Sequence, residues 1–182
     1  MKRIATIQDI SCFGKCSITV SLPVISAMGV ECAIVPTTVL STHTAGFTGY
    51  TVRDIADELL PIAEHWRRER IALDTLYTGY LANDEQIDIT KSFINLTKNE
   101  NTMIFVDPAM ADNGKLYPGF PTEFPTKMLE LVKENDGVRV RRCLFDASAD
   151  VGENLGGETD DRPRAETDGL DLEGDLGGNV IV

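Results

Sequence analysis

The stretch "RIATIQDISCFGKCSITVSLPVISAMGVECAIVPTTVL" occupies residues 3–40 and decides the fold. Residues 3–10 are short, apolar and β-branched, which reads as a strand. Residues 17–29 carry apolar side chains at helical spacing and stop at Gly29. Residues 31–40 return to a strand pattern, with Pro36 marking an edge position or a bend. The pattern then repeats. "STHTAGFTGY" (41–50) is a polar, glycine-containing loop, and "TVRDIADELLPIAEHWRRER" (51–70) reads as an amphipathic helix with Ile55, Leu59, Ile62 and Trp66 on one face. Its basic end suits the helix dipole. Strands are expected over 73–81 and 102–108, and helices over 83–99 and 126–135. Alternating β and α segments of this length imply an α/β protein with a parallel sheet and helices on its faces.

In such sheets ligands bind beyond the carboxyl ends of the strands. Four loops fall there: Asp9–Ser17, Ser41–Tyr50, Thr78–Leu81 and Asp107–Lys115. All are rich in Asp, Ser, Thr, Gly and Tyr, so one rim of the sheet is the expected site. The first contains Gly14-Lys15, but it is no P-loop. That motif needs a glycine five residues earlier, where Asp9 stands, and a hydroxyl after the lysine, where Cys16 stands. An acidic side chain there would repel phosphate, and a thiol is a poor ligand for a hard metal ion.

Composition narrows the classes further. The 182 residues suit one domain of ordinary size, with a formal net charge of −12 that argues against nucleic acid as a partner. From Ala147 to Val182 there are ten acidic and two basic residues, so the excess charge belongs to the tail. No apolar run is long enough to span a bilayer, and residues 1–5 lead straight into a strand without a signal-peptide pattern, so a cytoplasmic location and no membrane partner are expected. The four cysteines read as free thiols. Cys12 and Cys16 lack two further zinc ligands, and His43 and His65 are the only histidines.

"STHTAGFTGY", "YTGYL" and "VDPAMADNGKLY" follow successive strands in order, behind "QDISCFGKCSITVSLPVISAMG". Together they resemble the pyridoxal/pyridoxamine kinase family, over about residues 3–135. The resemblance implies a three-layer parallel-sheet ribokinase-like fold, C-terminally truncated, in a domain spanning 1–135. It also implies transfer of the γ-phosphoryl of ATP to the 5′-hydroxymethyl group of pyridoxal, pyridoxine or pyridoxamine, with Mg²⁺, a monovalent cation and a homodimer. Related hydroxymethylpyrimidine kinase activity is the neighbouring alternative.

By the same resemblance the first loop faces the vitamin. Asp9, or Ser11, meets a polar group of the pyridine ring; the plainer reading is a helix cap or turn. Thr44 binds the ring substituents with His43 beside it, although His43 reads equally as a satisfied buried histidine. Tyr80 stacks on the ring, or is a core tyrosine at a strand end. Asp107, with Asp112 as a second candidate, lies near the ATP phosphates and their metal ion; an Asp-Pro pair also simply ends strands.

Two family features are missing. The catalytic base is an Asp in a glycine-rich loop opening a late helix, and "GGETDD" (156–161) follows no strand pattern and does not qualify. The Asn-x-x-Glu segment is absent too. From Ala147 onward the chain has no aromatic residue and no lysine, and it holds no period. Residues 136–182 are therefore expected to be a disordered or frameshifted acidic tail, a genuine tail being the alternative. The chain alone is expected to be an inactive fragment that binds ligand or a partner, with a bare sheet edge that favours aggregation.

Overall fold

The computed structural model describes residues 1–112, 115–133 and 139–140, with Asp112, Arg139 and Val140 given by backbone alone. Strand β1 (Arg3–Ser11) is followed by α1 (Ile18–Ala27), β2 (Glu31–Leu40) and β3 (Val52–Asp54). Then come a single 3-10 turn (Ala56–Glu58), α2 (Leu59–Arg68), β4 (Thr75–Thr78), α3 (Asp84–Thr97) and β5 (Met103–Val106). The short strands β6 (Ala111–Asp112) and β7 (Lys115–Leu116), helix α4 (Phe124–Lys133) and β8 (Arg139–Val140) complete the described elements.

The main sheet runs β3-β2-β1-β4-β5-β8. All its pairs are parallel except β2–β3. From β1 the chain crosses to β2 on one side, and from β4 it moves through β5 to β8 on the other. Right-handed crossovers then put α1 on one face of the sheet and α2, α3 and α4 on the opposite face. α2 packs on α3, and α3 on α4. The direction of winding reverses between β1 and β4, and such a reversal opens a crevice at the strand ends.

Three sequence expectations shift. Residues 51–70 are not one helix. Val52–Asp54 pairs antiparallel with Thr38–Leu40, and the Asp54 carboxylate accepts from the Ala56 N–H at 2.9 Å, turning the chain. Pro61 lacks an N–H and fits only in a first turn, so α2 starts at Leu59. The same logic sets the start of α4 at Phe124, one residue before Pro125. The β6–β7 pair inside 107–117 carries too few residues to show a period.

Pro36 fits both of its expected roles. β3 covers only Thr38–Leu40, so β2 has a single strand neighbour at Pro36. Pro36 also pairs with Gln8 where the β1–β2 register shifts. The sheet continues past residue 135, because β8 pairs parallel with β5. Residues 141–182, which hold "GGETDD" and the acidic tail, lie outside the described residues.

The core is one cluster on the α2–α4 side. Phe93, Phe124, Leu59, Ile87 and Leu131 of the helices meet Ile7, Val35, Leu76 and Val106 of the strands. α3 starts on Asn83, whose side chain accepts from the Gln86 N–H at 2.9 Å. Buried Gln86 ties this cap to the sheet: its Nε2 donates to Thr38 Oγ1 and to Asp54 Oδ2, each at 2.9 Å, and its Oε1 accepts from the Ala82 N–H at 2.8 Å.

Candidate active site

The crevice predicted by the winding reversal is present. A cavity of about 460 Å³ opens between the N-terminal end of α1 and the ends of β1, β4 and β5. Gln8, Lys15, Cys16, Tyr77, Tyr80 and Asp107 are among its lining residues. Gln8 and Tyr77 come from within β1 and β4, Tyr80 and Asp107 from just past β4 and β5, Lys15 and Cys16 from the loop before α1, and Val20, Ser21, Val24 and Ile25 of α1 close the other wall.

Tyr80 and Asp107, expected on the vitamin and nucleotide sides respectively, both line this space. Tyr80 is half-buried at the end of β4, and its ring lies 5.6 Å from that of Phe120. Phe120 in turn stacks on Phe124 at 4.1 Å, so the core fixes the tyrosine from behind. Burial raises the Tyr80 pKa above its ordinary value, and the Asp9 carboxylate and Tyr50 add to the rise. Tyr80 is therefore a neutral hydroxyl over the whole neutral range. Asp107 ends β5 as the Asp-Pro reading expects, its N–H donating to the Thr78 carbonyl at 3.1 Å. It does so while lining the cavity.

Asp9 and Ser11 are both buried at the end of β1, and the Ser11 hydroxyl donates to Asp9 Oδ2 at 3.1 Å. They bond one another and do not cap α1. The N-cap position of α1 is Ser17, which makes no side-chain cap bond. Neither Asp9 nor Ser11 lines the cavity, although Asp9 is close enough to Tyr80 to act on its proton.

His43 and Thr44 sit in the neighbouring loop. Half-buried His43 donates its backbone N–H to the Phe13 carbonyl at 3.0 Å, which ties the β1 and β2 loops together. Its Nδ1 accepts from the Ala45 N–H at 3.2 Å, and its ring meets Phe47 edge-on at 5.1 Å. Its Nδ1 and its backbone N–H thus both have partners within the chain. Gly14 makes this packing possible: its φ is +109°, and a Cβ there would stand 2.0 Å from His43 Cδ2. Thr44 is exposed. The Asp112 backbone pairs with Lys115 in β6–β7, and its side chain lies outside the described residues.

Sequence reading missed Gln8, Lys15 and Tyr77 as site residues. Gln8 left a weak signal, being a polar side chain inside the apolar run "ATIQDI". Lys15 carries no signal once the P-loop spacing fails, and Tyr77 reads as an ordinary strand residue.

No family model matches the sequence, and no curated protein matches it. Solved structures do. A candidate phosphomethylpyrimidine kinase from Bacteroides thetaiotaomicron, crystallised with pyridoxal, is 36% identical with a TM-score of 0.69, over 76% of this chain and 48% of that one. Pyridoxal kinase from Lactobacillus plantarum is 27% identical with a TM-score of 0.69, over 82% of this chain and 51% of that one. Pyridoxal kinase from Leishmania donovani, in complex with ADP and pyridoxamine, is 20% identical with a TM-score of 0.67, and at that identity it speaks for the fold alone. The chain spans about half the length of the structures it matches. With the sheet order, the switch-point cavity and these likenesses agreeing, the chain belongs, as an N-terminal portion, to the pyridoxal/pyridoxamine kinase family of ribokinase-like fold.

Proposed function

We propose that this chain supplies the ring-binding half of a cytoplasmic kinase of vitamin B6 salvage, which moves the γ-phosphoryl of ATP to the 5′-hydroxymethyl oxygen of pyridoxal, pyridoxine or pyridoxamine. The observation that carries this is the shared cavity of Tyr80 and Asp107 at the switch point. A flat heteroaromatic ring suits the face of Tyr80. Asp9 with Ser11, and the loop of His43 and Thr44, serve the ring's polar substituents from the adjoining strand ends. Asp107, with Asp112, serves the nucleotide side. Among the described residues no three His, Cys, Asp or Glu side chains cluster as a metal cage. A Mg²⁺ ion near Asp107 would therefore take its other ligands from phosphate oxygens and water. A monovalent cation and homodimer assembly belong to the same reading.

In the reaction the hydroxymethyl oxygen bonds to the γ-phosphorus, the bond from that phosphorus to the β–γ bridging oxygen breaks, and the hydroxyl proton passes to a base. Such transfer rests on positioning and charge stabilisation. None of the described helices opens on a glycine-rich loop with an aspartate to act as that base. The proposal keeps the expectation that the chain alone binds the ring and does not catalyse the transfer.

A second reading, hydroxymethylpyrimidine kinase, rests on the 36%-identical relative and its description as a candidate phosphomethylpyrimidine kinase. Calorimetric titration of the full chain with pyridoxal and with 4-amino-5-hydroxymethyl-2-methylpyrimidine separates the two. Pyridoxal is expected to bind more tightly, and Tyr80→Ala to weaken it roughly tenfold, the scale of one lost aromatic contact. Tighter pyrimidine binding favours the second reading. Absence of binding by either overturns both, and phosphorylated product from the chain with MgATP overturns the binding-half reading.

A further inference from the structure

Gln8 of β1 is only 3% exposed, yet it lines the cavity. Its amide is held at one end. Nε2 donates to Thr6 Oγ1 at 2.7 Å, and Thr6 Oγ1 lies 3.5 Å from Ser21 Oγ of α1. The other end is not: Oε1 has no hydrogen-bond partner among the described residues. The following loop is built around this amide. A Cβ at Gly79 would stand 2.7 Å from Gln8 Cδ and 3.0 Å from Oε1, so a larger residue in "TGY" would push this amide aside. Gly79 thus fixes the distance between the amide and Tyr80, the next residue.

The oxygen keeps contact with the open cavity, so a ligand donor entering there can bond it in place of solvent. Thr6 takes one of the amide's two N–H donors, and Oε1 at the other end is an acceptor. The matching ligand group is a donor, and the donors shared by pyridoxal, pyridoxine and pyridoxamine are their ring and hydroxymethyl hydroxyls. We propose that Gln8 reads the bound heterocycle, its Oε1 accepting a hydrogen bond from a ligand hydroxyl and so selecting rings that carry this hydroxyl over rings that lack it. The inference rests on the proposed function for its ligand class.

The test titrates the full chain with pyridoxal, 3-deoxypyridoxal and 5-deoxypyridoxal. The unmodified chain is expected to prefer pyridoxal over one deoxy analogue by roughly three- to tenfold, the worth of one net hydrogen bond. In Gln8→Leu that preference disappears while affinity for the same deoxy analogue is unchanged. Thr6→Val leaves the cavity wall intact but frees the amide to turn, and it shrinks the preference part of the way. An equal loss for all three ligands in Gln8→Leu means packing alone and overturns the inference, as does a preference that survives the substitution. If Gln8→Leu loses its far-UV dichroism, Thr6→Val decides, and an unchanged preference there overturns the inference. No pyridoxal binding by the unmodified chain overturns the proposed function first, and this inference with it.

Discussion

The two faces of the sheet are built differently. On one face α2, α3 and α4 pack side by side over Leu76, Ile104 and Val106, and almost every large apolar side chain there is buried. On the other face α1 stands alone. Ile18 is its one buried residue and takes no part in the core cluster. Val24 of α1 is 53% exposed and Met28, just past its end, 74% exposed, although seven of the ten residues of α1 are apolar and fall on several sides of it. Beside it Tyr77 and Phe105 meet at 5.5 Å and are only half-buried. A helix that is apolar all round belongs in an interior. The chain spans about half of its structural relatives. The covered face therefore carries the stability of this chain, while the α1 face carries the cavity.

The largest effect should come from the covered face. Phe93 is fully buried in α3 and meets Trp66 of α2 edge-on at 5.8 Å. Phe93→Ala should cost about 3–5 kcal/mol, the usual loss for a buried aromatic with a residual cavity. Denaturant unfolding reads this directly. A loss under about 1 kcal/mol would mean that the core is not the single cluster described.

Gln86 comes next. Its amide joins the start of α3 to β2 and to the Asp54 turn, on the same side of the molecule. Gln86→Leu keeps the volume but leaves the Ala82 N–H and Thr38 Oγ1 without this partner. About 2 kcal/mol of destabilisation is expected from one buried hydroxyl and one part-buried N–H that lose this partner. A neutral result would show that water replaces the amide, and hydrogen exchange at Ala82 would show where.

These two residues also show what the sequence made legible. The helix over 83–99 that holds both is legible in the sequence, as are the longer strands and helices through residue 133 apart from the short strands within 51–70 and 107–117. Apolar periodicity could not foresee Gln86, because nothing local distinguishes a buried glutamine in a helix from an exposed one. The helix expected over 51–70 failed for a similar reason. Ile55, Leu59, Ile62 and Trp66 keep a helical spacing, but pairing of Val52–Asp54 with β2 is a long-range choice. Motif order singles out Tyr80 and Asp107, which line the cavity, whereas Gln8 and Lys15 join them there only because the winding reverses between β1 and β4.

A smaller effect is written into the outer surface of the covered face. Lys127 of α4 bridges Asp88 of α3 at 2.9 Å and Glu130 at 3.0 Å, and Lys91 lies 3.7 Å from both carboxylates. The hydrogen bond from Lys127 lowers the pKa of Asp88 and of Glu130 below the ordinary carboxylate values. The same two bonds raise that of Lys127. A depressed carboxylate stabilises the fold above its unfolded pKa, near 4, and that contribution fades as pH falls through the folded value. The raised lysine loses its share only far above neutral pH. Lys127→Met should therefore lower the melting temperature slightly at pH 7 and flatten its fall between pH 5 and pH 3. Parallel curves for the two proteins would mean that the exposed pairs contribute nothing, as many surface pairs do.

The smallest effect on stability belongs to α1, and there its smallness is informative. Val24→Ser with Met28→Ser removes apolar area that the folded chain already leaves in water. Unfolding free energy should then change by no more than about 0.5 kcal/mol, as for surface positions generally. What should change is association. An exposed apolar patch drives chains together, so sedimentation velocity should show less self-association in the double variant, at equal concentration, than in the unmodified chain. A large loss of stability would instead place α1 in the core and abolish the contrast between the faces. Unchanged stability together with unchanged association would place the sticky surface elsewhere, and the open edge of β2 beside Pro36 would then be the next surface to substitute.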